Sequence, residues 1–318
     1  MRKTGLLLLT CILCIQTLFC MQTKAAENTD VMKITAVDLG ADNSGEATMI
    51  TDGDGNSILV DTGDPHNDAI IQWLDKNGYK DKEFDVLITH WHDDHAGNAA
   101  KIISRYNVGT VYLPTFDYIY SDDTDYYRYQ RSYVRKVLDA AKNNGTKVVY
   151  IRRGQEISVG SVKGKVLYCC GSLRSENDYN VQYINNQSAV IMFIGGGARF
   201  LACGDLQTEV EERLVGSGID LRADIYKMSH HGLDTSNSVG FVEKVDPEVS
   251  YFTSYTATPS KMISKDVEGS VSRVSPISDI LSTRYNGTII FTCSEGKITV
   301  ETERNSEKAT FDAGGKNR

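Results

Sequence analysis

Five of the six histidines fall in two short clusters, Thr89-His90-Trp91-His92-Asp93-Asp94-His95 and Ser229-His230-His231-Gly232. Imidazole and carboxylate are the side chains that hold zinc or manganese. The pattern His-x-His-x-Asp-His supplies four donors within six residues, more than one tetrahedral ion takes from adjacent backbone, so two ions are the economical expectation. Four ionisable groups at the end of the apolar run Val86-Leu87-Ile88 would otherwise repel one another and lose their hydration uncompensated. His66, alone after Asp61-Thr62-Gly63-Asp64-Pro65, reads instead as an ordinary solvated or core side chain.

Both clusters end apolar runs that read as buried strands. Strand-like runs are Lys33 to Leu39, Ser57 to Asp61, Asp85 to Thr89, Thr110 to Leu113, Lys147 to Ile151, Lys165 to Cys169, Ser188 to Ile194, Arg199 to Cys203, Asp224 to Ser229, Val249 to Thr253, Thr288 to Cys293 and Lys297 to Glu301. Helical spacing of apolar residues marks Asp68 to Asn77, Asn98 to Tyr106, Tyr126 to Asn144, Gln207 to Val215, Ser238 to Val245 and Ser275 to Thr283. Uninterrupted runs such as Ala189-Val190-Ile191-Met192-Phe193-Ile194 imply strands covered on both faces. The expected fold is therefore α/β, a four-layer αββα sandwich whose metal ligands come from loops at one edge of the sheets.

Residues 1–25 have the form of a secretory signal peptide, with Arg2 and Lys3 before the apolar stretch Leu6 to Phe19 and Thr23-Lys24-Ala25 as the cleavage site. A secreted or extracellular protein is expected, associated with membrane or cell wall only if that segment stays uncleaved. The chain has 34 Lys+Arg against 42 Asp+Glu; without Arg2, Lys3 and Lys24 this becomes 31 against 42, a net charge near −11. Such a surface does not seek polyanions indiscriminately, and a nucleic-acid substrate would need a local basic patch from Arg131, Arg135 and Lys136, or from Arg152 and Arg153. Cys169, Cys170, Cys203 and Cys293 show neither a disulfide framework nor zinc-ribbon spacing. Residues 31–303 read as one large domain followed by a flexible tail, 304–318, with no obligate protein partner evident. Thr115 to Arg135, rich in Tyr118, Tyr120, Tyr126, Tyr127, Tyr129 and Tyr133, reads first as a loop leading into a helix and second as a substrate-facing wall.

Four motifs in succession carry a family resemblance: Leu59-Val60-Asp61-Thr62-Gly63, then His90-x-His92-x-Asp94-His95 with Ala96-Gly97-Asn98, then Cys203-Gly204-Asp205, then His230-His231-Gly232. Over most of residues 33–302 the chain resembles the metallo-β-lactamase-fold hydrolases. The stretches Phe200 to Leu206 and Ala223 to Gly232 are similar to the branch containing the competence DNA-uptake proteins, and the double histidine also to the secreted phosphorylcholine esterases. The resemblance implies cleavage of phosphate esters by two divalent ions, zinc or alternatively manganese. It implies His90 and His92 on the first ion, Asp94 and His95 on the second, Asp205 bridging and His231 completing the second. His230 would face the substrate as a donor or general acid, and Asp61 would orient a ligand histidine.

Two departures from the family pattern stand out. No histidine occurs from 96 to 229, so the first ion lacks the usual third imidazole, with Asn185, Asn186 or Gln187 as replacements. Tyr255-Thr256-Ala257-Thr258-Pro259-Ser260 stands where competence-type sequences carry a histidine. The expected substrate is a small-molecule or oligonucleotide phosphodiester, attacked by a metal-bridging hydroxide with Asp94, Asp205 and His230 as catalytic residues. The alternatives are a hydrolase of a lactone, thioester or β-lactam on the same site, or a metal-binding protein without catalysis.

Overall fold

In the run Ser57–Val60, Ile58 and Val60 face one layer while Leu59 faces another, because successive strand side chains point to opposite sides. All four residues are buried, so this strand is covered on both faces. The computed structural model describes residues 30–40, 45–115, 125–169, 184–253, 265–305, 309–312 and 314. Its first sheet has nine strands in the order β16-β15-β14-β1-β2-β3-β4-β5-β6 and its second has seven, β13-β12-β11-β10-β9-β8-β7. In chain order these are β1 Val31–Ala36, β2 Thr48–Asp52, β3 Ser57–Val60, β4 Glu83–Leu87, β5 Asn107–Leu113, β6 Lys147–Tyr150, β7 Glu156–Val159 and β8 Val162–Tyr168. The remainder are β9 Val190–Gly195, β10 Ala198–Ala202, β11 Ile225–Lys227, β12 Val249–Phe252, β13 Asp279–Ser282, β14 Ile289–Ser294, β15 Lys297–Thr302 and β16 Ala309–Asp312.

Three apolar layers hold the sandwich together. Between the sheets, Ile34, Ile50, Val60, Leu87, Ile191, Phe193, Phe200 and Phe291 interdigitate. Outside the first sheet, Leu59, Val86 and Ile88 pack under α1 Ala69–Lys76, α3 Ala99–Arg105 and α4 Asp125–Asn144. Outside the second, Val190, Leu201 and Tyr226 pack under α5 Thr208–Gly216, α6 Val239–Val245 and α7 Glu268–Val274. The αββα arrangement is the one expected. Strands β3 to β6 and β10 to β13 run parallel, so their C-terminal ends deliver loops to one edge, where α/β sheets bind ligands.

Several elements differ from their sequence pattern. The helix expected over Ser275 to Thr283 is instead the strand β13 followed by the short α8 Thr283–Asn286, and the true helix lies just before it at Glu268–Val274. Val249 to Phe252 needs a parallel neighbour, and pairing with Asp279 to Ser282 overrides local helical spacing. Strand β2 lacks period-2 contrast, and β7 and β16 alternate but are only four residues long, too short to announce themselves. The segment from 304 onward is not wholly tail: Phe311 stands opposite Ile298 and packs on the inter-sheet core. Cys169, Cys203 and Cys293 are buried and form no disulfide among the described residues, while Cys170 and the leader segment lie outside them. Among the described residues no helix is long and apolar enough to cross a membrane.

Candidate metal centre

Each motif lies just beyond a strand end. Asp61 follows β3, His90 to His95 follow β4 with Asp94 and His95 on the single turn α2 Asp93–Ala96, Asp205 follows β10, and His230-His231 follow β11. Asp61, His230 and His231 adopt positive φ, at 60°, 52° and 52°. This region disfavours side-chain-bearing residues, and three of the seven non-glycine residues that adopt it among the described residues lie at the candidate centre. Close approach also requires glycine: a Cβ on Gly45 would overlap the Asp94 carbonyl, and one on Gly204 would lie 2.8 Å from Thr89 Oγ1.

The turn brings two donor sets to either side of Asp205. In one, His95 Nε2 lies 3.2 Å from Asp205 Oδ1 and 3.2 Å from His231 Nε2. His231 Nε2 lies 3.2 Å from Asp94 Oδ2 and 3.4 Å from Asp205 Oδ2. In the other, His90 Nε2 is 3.0 Å from His92 Nδ1 and 3.8 Å from Asp205 Oδ2. His230 Nε2 approaches that same oxygen at 3.9 Å. Donors held about 2.0–2.1 Å from a tetrahedral ion stand roughly 3.3–3.4 Å from one another. The His95–Asp205–His231 spacing fits that requirement, while Asp94 Oδ2 lies 3.2 Å from His231 Nε2 and 3.8 Å from His95 Nε2, and buried Asp205 Oδ1 has no hydrogen bond of its own among the described residues.

Tautomers follow from the outer partners. His95 Nδ1–H donates to Asp61 Oδ2 at 2.7 Å, and Thr89 donates its amide and hydroxyl to Asp61 Oδ1 and Oδ2 at 2.8 and 2.7 Å. The Thr89 hydroxyl thus spends its proton on Asp61 and accepts His90 Nδ1–H at 3.1 Å. His231 Nδ1–H donates to Thr253 Oγ1 at 2.9 Å. The Nε2 lone pairs of His90, His95 and His231 all turn inward, the state a metal ligand needs. Asp61 therefore supports both donor sets. Asp61→Asn is expected to weaken metal binding by about 10–100-fold, measured by competition with a chromophoric chelator; unchanged affinity would remove this role.

Charge demands the same occupant. Burial opposes protonation of His231, yet Asp205 and Asp94 hold it up at about 9, and Asp205, Asp94 and Asp61 likewise hold His95 well above its ordinary value. Burial disfavours ionised Asp205 as well, but the surrounding histidines hold it well below the usual carboxylate range. The protein thus balances its carboxylates by protonating the very nitrogens that face inward. A divalent cation supplies the positive charge and releases those lone pairs, so the donor set fits the metal. On the other side, burial pushes His90 well down and His230 to about 4.

Two charged residues at the centre had no motif to announce them. Lys227 is fully buried, pairs closely with buried Glu46, donates to the Gly204 carbonyl at 3.0 Å and lies 3.9 Å from Asp205 Oδ1. Burial works against its charge, but Glu46 and Asp205 hold Lys227 above its ordinary value. Glu46 is within reach of the second donor set, yet its engagement with Lys227 makes it a counterion beneath the site. The one signal available was a lysine inside the apolar strand Ile225–Lys227.

Asn237 clamps the residue before the histidine pair. Its Oδ1 accepts Ser229 N–H at 2.9 Å and the Tyr226 hydroxyl at 2.8 Å, and its Nδ2 donates to Ser229 O at 3.1 Å. Beneath it, Glu211 accepts the amides of Asn237 and Ser238 at 2.7 and 2.8 Å, and burial pushes its carboxyl up to about 7 from an ordinary 4.5. The folded chain holds this proton more tightly than the unfolded chain, so this group's contribution to stability is full below pH 4.5 and declines as pH rises through 7. In urea titrations from pH 5 to 8, wild type should lose stability relative to Glu211→Gln. Parallel pH profiles would show that Glu211 does not titrate there.

The remaining candidates are placed as follows. Asn185 Nδ2 donates to His230 Nε2 at 3.2 Å, and its buried Oδ1 has no hydrogen-bond partner among the described residues, whereas Asn186 Oδ1 accepts the Gln207 amide at 3.2 Å. Asn185 is thus the member of the Asn185–Gln187 trio seen against the histidine pair. The His66 side chain is exposed and bonds Asp64 at 3.2 Å. Tyr129 is exposed and donates to Asp93 Oδ2 at 3.2 Å beside the cluster, while Tyr133 is buried. Tyr118, Tyr120 and the 255–260 segment lie outside the described residues, as do the side chains of Tyr126 and Tyr127.

Residues 41–172, which include Asp61 and the His90 to His95 cluster, match the model of the metallo-beta-lactamase superfamily. The chain is 26% identical over 233 residues to ComE operon protein 3 of Bacillus subtilis, covering 65% of this chain and 28% of that protein. It is 34% identical over 118 residues to Competence protein ComA of Neisseria gonorrhoeae, covering 37% and 17%. The chain thus spans less than a third of the length of either relative. The metallo-beta-lactamase fold protein YhfI of Bacillus subtilis superposes with a TM-score of 0.50 at 12% identity, covering 83% of this chain and 99% of that one. The chain thus matches the metallo-beta-lactamase superfamily over residues 41–172, with the His-x-His-x-Asp-His loop at the edge of two helix-flanked sheets, and it is similar to the competence proteins.

Proposed function

We propose that the chain is a dinuclear metallohydrolase that cleaves phosphodiesters. The observation that carries this reading is the place of Asp205, whose Oδ1 faces His95 while its Oδ2 stands among His231, His90 and His230. Two divalent ions in such a site lower the pKa of water and neutralise charge building on an attacked phosphoryl group. Asp205 would hold the two sets in register, with Asp94, His95 and His231 as the second set and His90 and His92 in the first. Asp61 and Thr89 keep the imidazoles in the tautomer required.

His230 fits a ligand role better than that of a general acid. A general acid must carry a proton to give, but burial holds this imidazole near 4, and its Nε2 is turned toward Asp205 and Asn185 while Nδ1 bonds Thr235 Oγ1 at 2.6 Å. We assign it to the first set, in the place of the imidazole missing from 96 to 229. The relative named Competence protein ComA keeps an oligonucleotide substrate in view, while the chain's net charge of −8 favours a small or short phosphodiester over an extended polyanion. Export by the leader 1–25 belongs to the same proposal, supported by Arg2 and Lys3 before the apolar stretch.

The test is a substrate panel at fixed metal content: bis-p-nitrophenyl phosphate, p-nitrophenylphosphorylcholine, a short oligonucleotide, a chromogenic lactone and a thioester. Turnover confined to the phosphodiesters supports the reading. Turnover confined to the lactone or thioester overturns it in favour of acyl chemistry on the same site.

A further inference from the structure

A cavity of about 480 Å³ opens on the outer face of the second sheet, lined by Arg153, Lys165, Met192, Ile194, Arg199 and Asp220 among others. It is remote from the metal centre. Arg199 begins the run that reaches Asp205 six residues later, on the order of 20 Å at ~3.3 Å per residue.

Strand alternation builds the cavity. In β8, Lys163 and Lys165 point away from the inter-sheet core, and in β9 Met192 and Ile194 share that face. Helix α5 ends at Gly216, and Ile194 is left 43% exposed, an unusual state for a large apolar residue in the middle of a sheet.

The charges around this floor are unequal. Asp220 is satisfied by Arg199 at 3.1 Å and by Arg222 at 3.1 Å, and Arg199 Nε is fixed on the Arg222 carbonyl at 2.6 Å. Among the described residues Arg153 and Lys165 form no ion pair, although Glu156 stands opposite Lys165 in the strand register. Three cations against one lining carboxylate therefore face the cavity of an otherwise acidic chain. Such a field selects an anion, and the apolar floor selects a ligand with a hydrocarbon body. The volume lies within the range of about 300–1,000 Å³ usual for small-molecule sites.

We propose that this cavity is a second binding site, for a small organic anion with an apolar body such as an alkyl phosphate or carboxylate. The anionic head sits against Arg153 and Lys165, and the tail lies over Met192 and Ile194. The site is independent of the metal centre and of the reaction performed there.

Calorimetric titration with decyl phosphate, below its micellar concentration, tests this in wild type, Asp205→Ala, the double variant Arg153→Glu/Lys165→Glu, and Ile194→Asp, each checked for a wild-type thermal melt. Binding should persist in Asp205→Ala and weaken by roughly tenfold or more in the two cavity variants, with inorganic phosphate and decyltrimethylammonium binding far more weakly. Loss of binding in Asp205→Ala would place the ligand at the metal centre and overturn the proposal. Unchanged affinity in both cavity variants, or equal affinity for decyltrimethylammonium, would also overturn it. Should the Arg153/Lys165 variant melt early, Ile194→Asp and the preference between head groups decide between the same two outcomes.

Discussion

Asp205→Ala should lose on the order of a thousandfold or more in kcat while keeping a folded chain. The carboxylate is 2% exposed and stands between both donor sets, with Oδ1 on His95 and Oδ2 on both His231 and His90, so its removal takes a carboxylate oxygen from each set. Several kcal/mol of charge stabilisation disappear with it, about 1.4 kcal/mol per factor of ten. The backbone is held independently, since Asp205 N–H donates to Ser188 Oγ at 3.0 Å and Lys227 bonds the Gly204 carbonyl. Circular dichroism should therefore match wild type, and metal analysis should find fewer than two ions per chain. A full-rate variant would remove the bridge from the mechanism.

Lys227→Met should be the most destabilising single change near the site. It leaves Glu46, 1% exposed, without its cation, and breaking a buried pair by removing one partner costs about 3–5 kcal/mol. In a chain of this size that is roughly a 10 °C fall in Tm. Adding Glu46→Gln should restore part of the loss by removing the unpaired charge, and the cycle of single and double variants measures the coupling. A Lys227→Met protein melting with wild type would mean that Glu46 is not held as an anion.

What the sequence made legible was whatever sits within one turn of chain. His90, His92, Asp94 and His95 converge because a strand end and one helical turn place them there, and Asp61 is recognisable from the tight turn that ends its strand. Adjacent His230 and His231 have no spacing that separates their roles, and only the resemblance favoured His231 as the ligand, because consecutive positive φ values decide which donor set each imidazole faces. Glu46 and Lys227 meet across 181 positions, and Glu211 and Asn237 meet under a loop; neither pair has a spacing to read. The fold was legible where apolar runs were continuous. It was hidden at Ser275 to Thr283, where pairing with β12 outweighs local periodicity. The strand beyond 304 is equally silent in sequence because an edge strand needs only one partly buried anchor, here Phe311.

The most direct measurement is a titration of the metal-free protein with zinc, and separately with manganese, following bis-p-nitrophenyl phosphate hydrolysis and bound metal together. Two sets of donors sharing Asp205 predict that activity rises as occupancy passes from one to two ions per chain and is absent from Asp205→Ala at any occupancy. Full activity at one ion, or none with two bound of either metal, would contradict the account.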